Sequence, residues 1–249
     1  MHNIISEFDN YVDNFDKEES MIRLKFFHSY RVMDLSKQIA SSLNLNDEDT
    51  YIAMIIGLLH DYARFIQWTK YKTYVDSKSI DHGDYAVKLL FEDNEIEKFN
   101  IDKKYYSIIY DAIKYHNKYS YPNNIEERNK LFCKIIKDAD KLDIFYLWSI
   151  GEINRQSSDA EISKKISDEF YENKLLKKVD SKSSDDTILV ELAMIYDLNF
   201  DYSYEYIKRN RFIDSIYKKI DNKEKFKEYF DYAKEYIEKR EKVYVRKKI

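Results

Sequence analysis

Three glycines and one proline punctuate a chain of 249 residues. A sheet protein of this length needs many more turn residues, so helices joined by short polar loops are expected throughout. One cysteine, Cys133, excludes an intramolecular disulfide framework and suits a reducing compartment. No apolar run approaches the roughly 18 residues of a membrane span, and the longest, Ile55 to His60, is short. Met1-His2-Asn3 leads straight into amphipathic sequence without an apolar signal core, so a cytoplasmic protein with no membrane partner is expected. Excess charge of one sign is missing too. Forty-two basic residues face 46 acidic ones for a formal −4, which gives no electrostatic reason to expect nucleic-acid binding.

Hydrophobic residues make up 44% of the chain, enough to bury a substantial core. The expected organisation is one all-α domain over 1–249, with a core at about 20–150 and a helical extension at about 151–249. Ile4, Ile5, Phe8, Val12 and Phe15 keep helical steps from the start. A second helix is predicted from about Ser20 to Leu43, with His28 one turn before Val32 on nearly the same face. A third, about Glu48 to Tyr62, is apolar nearly all round and belongs in the middle of a bundle, with Asp47 or Asp49 as its cap. Its interior Gly57 suggests a close helix–helix contact. Thr69 to Asp81 reads as an exposed loop. Helices are predicted at Asp81 to Phe91, Lys103 to Asn117 and Glu126 to Trp148. Ser181 to Asp186 reads as a polar linker, Phe200 to Tyr206 as an aromatic and acidic patch, and Lys239 to Lys248 as a solvated basic tail.

Four of the five histidines mark successive helices: His28, His60, His82 and His116, while His2 reads as a tail residue. Asp61 follows the most apolar stretch of the chain, and Asp140 follows Ile135, Ile136 and Ala139. A lone histidine at a helix end is more often a hydrogen-bonded core residue than a ligand, and either aspartate alone fits a helix-end hydrogen bond. A buried carboxylate, however, is costly unless paired or metal-bound. The set is strong where each member is weak. Imidazole and carboxylate without thiolate suit a divalent ion, Mn²⁺ or Fe²⁺ ahead of Mg²⁺, Zn²⁺ or Ni²⁺. Two histidines and two carboxylates can hold one ion, and two further histidines a second, with Asp61 bridging.

The order His, His-Asp, Asp across helices resembles the signature of the HD superfamily of metal-dependent phosphohydrolases. Gly57-Leu58-Leu59-His60-Asp61-Tyr62-Ala63-Arg64-Phe65 is similar to its central motif. Asp81-His82-Gly83 and Ala112-Ile113-Lys114-Tyr115-His116-Asn117 are similar to the extra histidine motifs of binuclear members. Lys137-Asp138-Ala139-Asp140-Lys141-Leu142-Asp143 resembles the terminal motif, so the resemblance covers roughly 20 to 150. It implies an HD-type helical bundle, with His28, His60, Asp61 and Asp140 on one metal and His82, His116 and bridging Asp61 on a second. Arg64 is assigned to the substrate phosphate, against a surface ion pair as the plain reading. Arg31, Asn117 and Lys141 are further candidate substrate contacts, and Lys141 and Asp143 candidate supports for Asp140. The cyclic-dinucleotide-degrading class, with two adjacent histidines where this chain has His116-Asn117, is disfavoured, as are the alarmone hydrolases. The dinucleoside-tetraphosphate hydrolases are the nearest characterised relatives in pattern, while the wording from His60 to Phe65 and from Asp138 to Phe145 resembles more a bacterial HD group of expected hydrolases.

The expected function is hydrolysis of a phosphomonoester or phosphoanhydride, with a nucleotide favoured, through metal-activated hydroxide; Asp61 and Arg64 carry the catalytic roles. A di-iron oxygenase built on the same ligand set is the first alternative, and a non-catalytic nucleotide sensor the second. Substrate, native metal and oligomeric state stay open, a homodimer among the choices.

Overall fold

In a computed structural model the backbone is described for residues 1–247 and the side chains through residue 240. The basic side chains beyond Arg240, assigned above to a solvated tail, lie outside the described residues. The chain is 71% helical with no strand among the described residues, which makes it all-α as the missing turn residues require. It forms two compact units, Met1–Asp140 and a second from Lys141 onward. No described helix is long and apolar enough to cross a membrane.

The first unit is built around α3 (Asp47–Leu59), which packs against α1 (His2–Val12), α2 (Ser20–Ser42) and α6 (Tyr106–Tyr115). Ile52, Ile55, Ile56, Leu58 and Leu59 are all buried, and only Met54 is partly exposed over the last two turns of α3. Its cap is Asn46, not Asp47 or Asp49: the Asn46 side chain accepts from the Asp49 amide at 2.8 Å. The acidic trio Asp47, Glu48 and Asp49 instead fills the first turn, where it complements the helix dipole. Gly57 is the close-contact point. A Cβ there would stand 2.8 Å from Met33 Cα and Val32 O on α2, and 2.8 Å from Ser36 Oγ.

The third helix stops at Leu59, three residues short of the expected Tyr62. Tyr62 N bonds Leu59 O at 3.0 Å and Arg64 N bonds Asp61 O at 2.9 Å, so residues 60–63 form a turn before α4 (Arg64–Tyr71) begins. The turn is clamped from outside. Tyr11 of α1 stacks on Tyr62 with ring centroids 3.7 Å apart and donates its hydroxyl to Tyr62 O at 2.8 Å. Phe8, Tyr11 and Phe15 surround Phe65 beside it.

The exposed loop expected from Thr69 to Asp81 is only partly that: Thr69 to Tyr71 close α4, and residues 72–81 are drawn in. Val75 is 47% exposed, but Tyr74 and Asp76 are half-buried, and Asp76–Lys78 makes one 3-10 turn. Polar contacts draw the loop in, among them the Tyr74 hydroxyl to Met21 O at 2.8 Å. Next comes α5 (His82–Val87), capped by Asp81 and continued by a π turn at Lys88–Glu92. A long α7 (Glu127–Ile150) follows α6.

The second unit holds α8 (Lys164–Phe170), α9 (Ser184–Leu192), α10 (Asp201–Arg209), α11 (Phe212–Lys219) and α12 (Lys227–Lys247). The linker expected at Ser181 to Asp186 is instead a helix start. Ser183 caps α9 by accepting from the Asp186 amide at 3.0 Å, and Asp185 and Asp186 are fully buried. The patch from Phe200 to Tyr206 is the start of α10, with Tyr204 buried.

Gly57→Ala should destabilise the protein by about 1–3 kcal/mol in urea unfolding, through forced separation of α2 and α3. The gain of about 1 kcal/mol in helix propensity does not offset this. A more stable variant would contradict the contact.

Candidate metal centre

Helix ends place most of the ligands. His60 follows the last residue of α3 and His116 the last residue of α6. Each turns its Nδ1 back onto a carbonyl that the helix end leaves without an amide partner. His60 Nδ1 meets Gly57 O at 2.8 Å, and His116 Nδ1 meets Ile113 O at 2.6 Å. A carbonyl can only accept, so Nδ1 carries the proton and Nε2 presents a bare lone pair. His82, first residue of α5, reaches the same state through a side chain, with Nδ1 2.6 Å from Asp76 Oδ2. His28 comes from the middle of α2. All four rings and Asp61 are buried, while the Asp140 side chain keeps 22% of its surface exposed.

The Nε2 atoms converge. His82 and His116 bring theirs within 2.9 Å of each other, and His28 and His60 within 3.3 Å. Asp61 lies between the pairs and divides its carboxylate. Oδ2 faces His28 and His60 at 3.3 and 3.5 Å, and Oδ1 faces His82 and His116 at 3.6 and 3.9 Å. Asp140 Oδ1 adds a second carboxylate to the first pair, 3.1 Å from His28 Nε2 and 3.8 Å from His60 Nε2. His28, His60 and Asp61 thus form one group with metal-binding spacing, and Asp61, His82 and His116 another.

This donor set fits divalent cations. Two imidazoles whose Nδ1 protons are already committed have nothing to offer each other at 2.9 Å but opposed lone pairs, and a cation between them turns that repulsion into ligation. Two carboxylates beside them add negative charge, and no thiolate is present, which matches nitrogen- and oxygen-preferring ions.

The electrostatics agree. Burial pushes the Asp61 carboxyl up, but Lys25, His60, His28 and Arg64 outweigh it and hold the group well below the usual carboxylate range. Asp140 is likewise held low against burial by the neighbouring His28 and His60. Burial lowers His82, assisted by Arg64 and opposed by Asp76, and burial with His82 and His60 pushes His116 down to about 3. Carboxylates kept ionised beside the His82 and His116 imidazoles, whose pKa values burial lowers, are the protonation states that ligation requires.

The other sequence candidates fall into different places. Arg64 sends Nη1 to Gln67 Oε1 at 2.6 Å, Tyr74 O at 2.8 Å and Asp76 Oδ1 at 3.0 Å, and stands with Nε 3.4 Å from Asp61 Oδ1. It does so from the start of α4, not from a continuation of the His60 helix. Asn117 lies behind His82 and donates Nδ2 to Asp76 and Asp81. Arg31 sits half-buried one turn beyond His28. Lys141 and Asp143 belong to the second unit, where Lys141 Nζ pairs with Asp197 at 2.8 Å. Two residues escaped the sequence reading. Lys25 puts its ammonium 2.6 Å from Asp61 Oδ2, with Tyr74 beneath it at 5.5 Å. Its place three residues before His28, on the same helix face, was the available signal. Asp76 had no such signal among neighbouring loop polar residues.

Among known families, the model described as "HD domain" matches residues 26–144. No curated protein and no solved structure matches the chain.

The metal-free protein should lose stability on acidification. A buried imidazole whose folded pKa lies below its ordinary 6.5 stabilises fully above that value and progressively less as pH falls toward about 3, as for His116. The depressed carboxylates Asp61 and Asp140 act in the same direction at lower pH. Melting temperature of the chelated protein should therefore fall steadily below about pH 6.5. A flat profile down to pH 4 would be inconsistent with buried neutral histidines.

Proposed function

We propose, on the footing of the HD-domain match over residues 26–144, that the protein is a metal-dependent phosphohydrolase acting on a phosphomonoester or phosphoanhydride, a nucleotide before other phosphates. The observation that carries the reading is the division of Asp61: one carboxylate oxygen serves each pair of inward-facing imidazoles. That arrangement suits two ions, with Mn²⁺ or Fe²⁺ favoured by the donor types. His28, His60, Asp61 and Asp140 would hold one, and His82, His116 and Asp61 the other. Bound there, such ions supply Lewis acidity at phosphoryl oxygens and a water that ionises near neutral pH.

The chain's own residues supply the rest. Lys25 and Arg64 are cations in contact with Asp61, so positive charge lies beside the position where phosphoryl oxygens would gather. Arg64 Nη2 is the guanidinium nitrogen without a protein acceptor among the described residues, and it is the edge that would meet the substrate. Tyr74 lies under both cations, 5.5 Å from Lys25 and 5.4 Å from Arg64, and limits how far either can swing. No serine, threonine or cysteine is needed as nucleophile. Cys133 is buried, and burial pushes its thiol up to about 12, away from the reactive thiolate.

Mn²⁺-loaded protein should hydrolyse at least one member of a panel of nucleotides and phosphate esters without O₂, and His60→Ala or Asp61→Ala should abolish the activity. Turnover that survives both substitutions refutes the site, and turnover that requires O₂ and iron favours an oxygenase. Lys25→Gln should lower kcat/KM by about a hundredfold while both ions still bind. An unchanged kcat/KM would remove Lys25 from substrate handling.

A further inference from the structure

We propose that Asp76 is the positioning residue of the second half of the centre: it fixes the tautomer of His82 and ties that histidine, through Arg64, to Asp61. The inference rests on the two-ion reading above and concerns a residue outside the ligand set.

Ligation through Nε2 requires that atom free of a proton, and at three of the histidines the chain achieves this in two ways. His60 and His116 sit at helix C-termini, where free carbonyls accept from Nδ1. His82 opens a helix, and helix N-termini expose amide donors instead of carbonyls. No backbone acceptor is at hand there, so the proton on Nδ1 must be held by a side chain. The Asp76 carboxylate takes that place at 2.6 Å, the short distance of a charge-assisted bond.

The surroundings of Asp76 show why a carboxylate is needed. Four donors converge on its two oxygens. Arg64 Nη1 and Gln67 Nε2 reach Oδ1 at 3.0 and 3.1 Å, while His82 Nδ1 and Asn117 Nδ2 reach Oδ2 at 2.6 and 3.2 Å. Only an ionised carboxylate accepts on both sides. Asn117 turns its amide nitrogen to this acceptor although its own Oδ1 is then buried without a partner. Such an orphan costs about 1–3 kcal/mol. Gly83 makes room for it, since a Cβ there would stand 2.7 Å from that oxygen.

Two of these donors, Arg64 and His82, close a ring. Asp61 Oδ1 contacts Arg64 Nε, Arg64 Nη1 binds Asp76 Oδ1, and Asp76 Oδ2 holds His82, whose Nε2 returns to within 3.6 Å of Asp61 Oδ1. Two ligands of the second ion are therefore set relative to each other by Arg64 and Asp76.

This geometry gives an unusual order of substitutions. An asparagine at 76 would direct its carbonyl at the charged Arg64 and its NH₂ at His82. Nδ1 must then accept, the proton moves to Nε2, and the lone pair meant for the metal is lost. Asn117 Nδ2, already 3.3 Å from Nδ1, supports the wrong tautomer. Alanine leaves His82 free to adopt either tautomer. The isosteric variant should thus be the more damaging one, the reverse of what a loop-anchoring role would give.

The test uses the full chain, stripped with chelator and reloaded with Mn²⁺, with ions counted by mass spectrometry and affinities measured by titration calorimetry. Wild type should bind two ions. Asp76→Ala should weaken one of them about tenfold and Asp76→Asn about a hundredfold, within the range for residues that orient metal-ligating histidines. The other ion should be unaffected. Nitrogen NMR of the metal-free proteins should show His82 protonated at Nδ1 in wild type and at Nε2 in Asp76→Asn, which decides the matter even if the alanine variant fails to fold. Two ions at wild-type affinity in Asp76→Asn, or an unchanged tautomer, overturns the assignment and leaves the metal centre standing. A wild type that binds one ion or none overturns the two-ion reading and Asp76's role with it.

Discussion

A carboxylate that is 2% exposed and faces four imidazole nitrogens is the constraint from which the rest of the first unit follows. Removing such a charge from water costs several kcal/mol unless it is compensated nearby. Lys25 and Arg64 provide part of that compensation, but His60, His82 and His116 turn Nε2 lone pairs toward it. Such a cluster, rich in acceptors, could hold cations. Its position is held by elements with no role in the chemistry. α3 ends where Asp61 must turn inward, and Tyr11 of α1 grips the next residue by stacking and a hydrogen bond.

Histidine orientation depends on where each ring sits along a helix. Those at C-termini borrow carbonyls that would otherwise need water, so the helix end and the ligand satisfy each other. The one at an N-terminus is held by a loop carboxylate. This is why residues 72–81, which bridge Arg64 and His82, are drawn in against the unit instead of lying free: Tyr74 and Asp76 face the centre while Val75 points out.

Much of this was legible in the sequence because helix boundaries and residue chemistry are local signals. His60-Asp61 after an apolar run, histidines at the ends of periodic segments and Asp140 after buried isoleucines are visible without coordinates, and the helices recur within a few residues. What failed depended on tertiary contacts. Asn46 outcompetes Asp47 and Asp49 as cap through the turn that precedes α3, which composition does not encode. Lys25 was legible by its spacing to His28 but had no partner until α3 was placed beside α2. Asp76 could not be distinguished from Asp81 or Asp84, since its importance lies in four donors from three separate segments. The polar run 181–186 was mistaken for a linker because serine, lysine and aspartate make up linkers and helix caps alike.

That last case explains why buried carboxylates alone do not mark chemistry. Asp185 and Asp186 in the second unit are more deeply buried than Asp61. Each of them faces donors: Asp185 accepts from the Ser158 amide at 2.6 Å and pairs with Lys225, and Asp186 accepts from Ser163 N and Oγ and from Lys182 N. Their lone pairs are satisfied by protons, so the pair is closed and fastens the polar stretch 158–163 and residue 182 to the start of α9. In the first unit the neighbours of Asp61 include two imidazoles whose protons are fixed elsewhere, by Gly57 O and Ile113 O. Acceptors there face acceptors. The two clusters differ in the direction of their hydrogen bonds, not in depth, and that difference separates a structural fastening from a cluster that could hold cations.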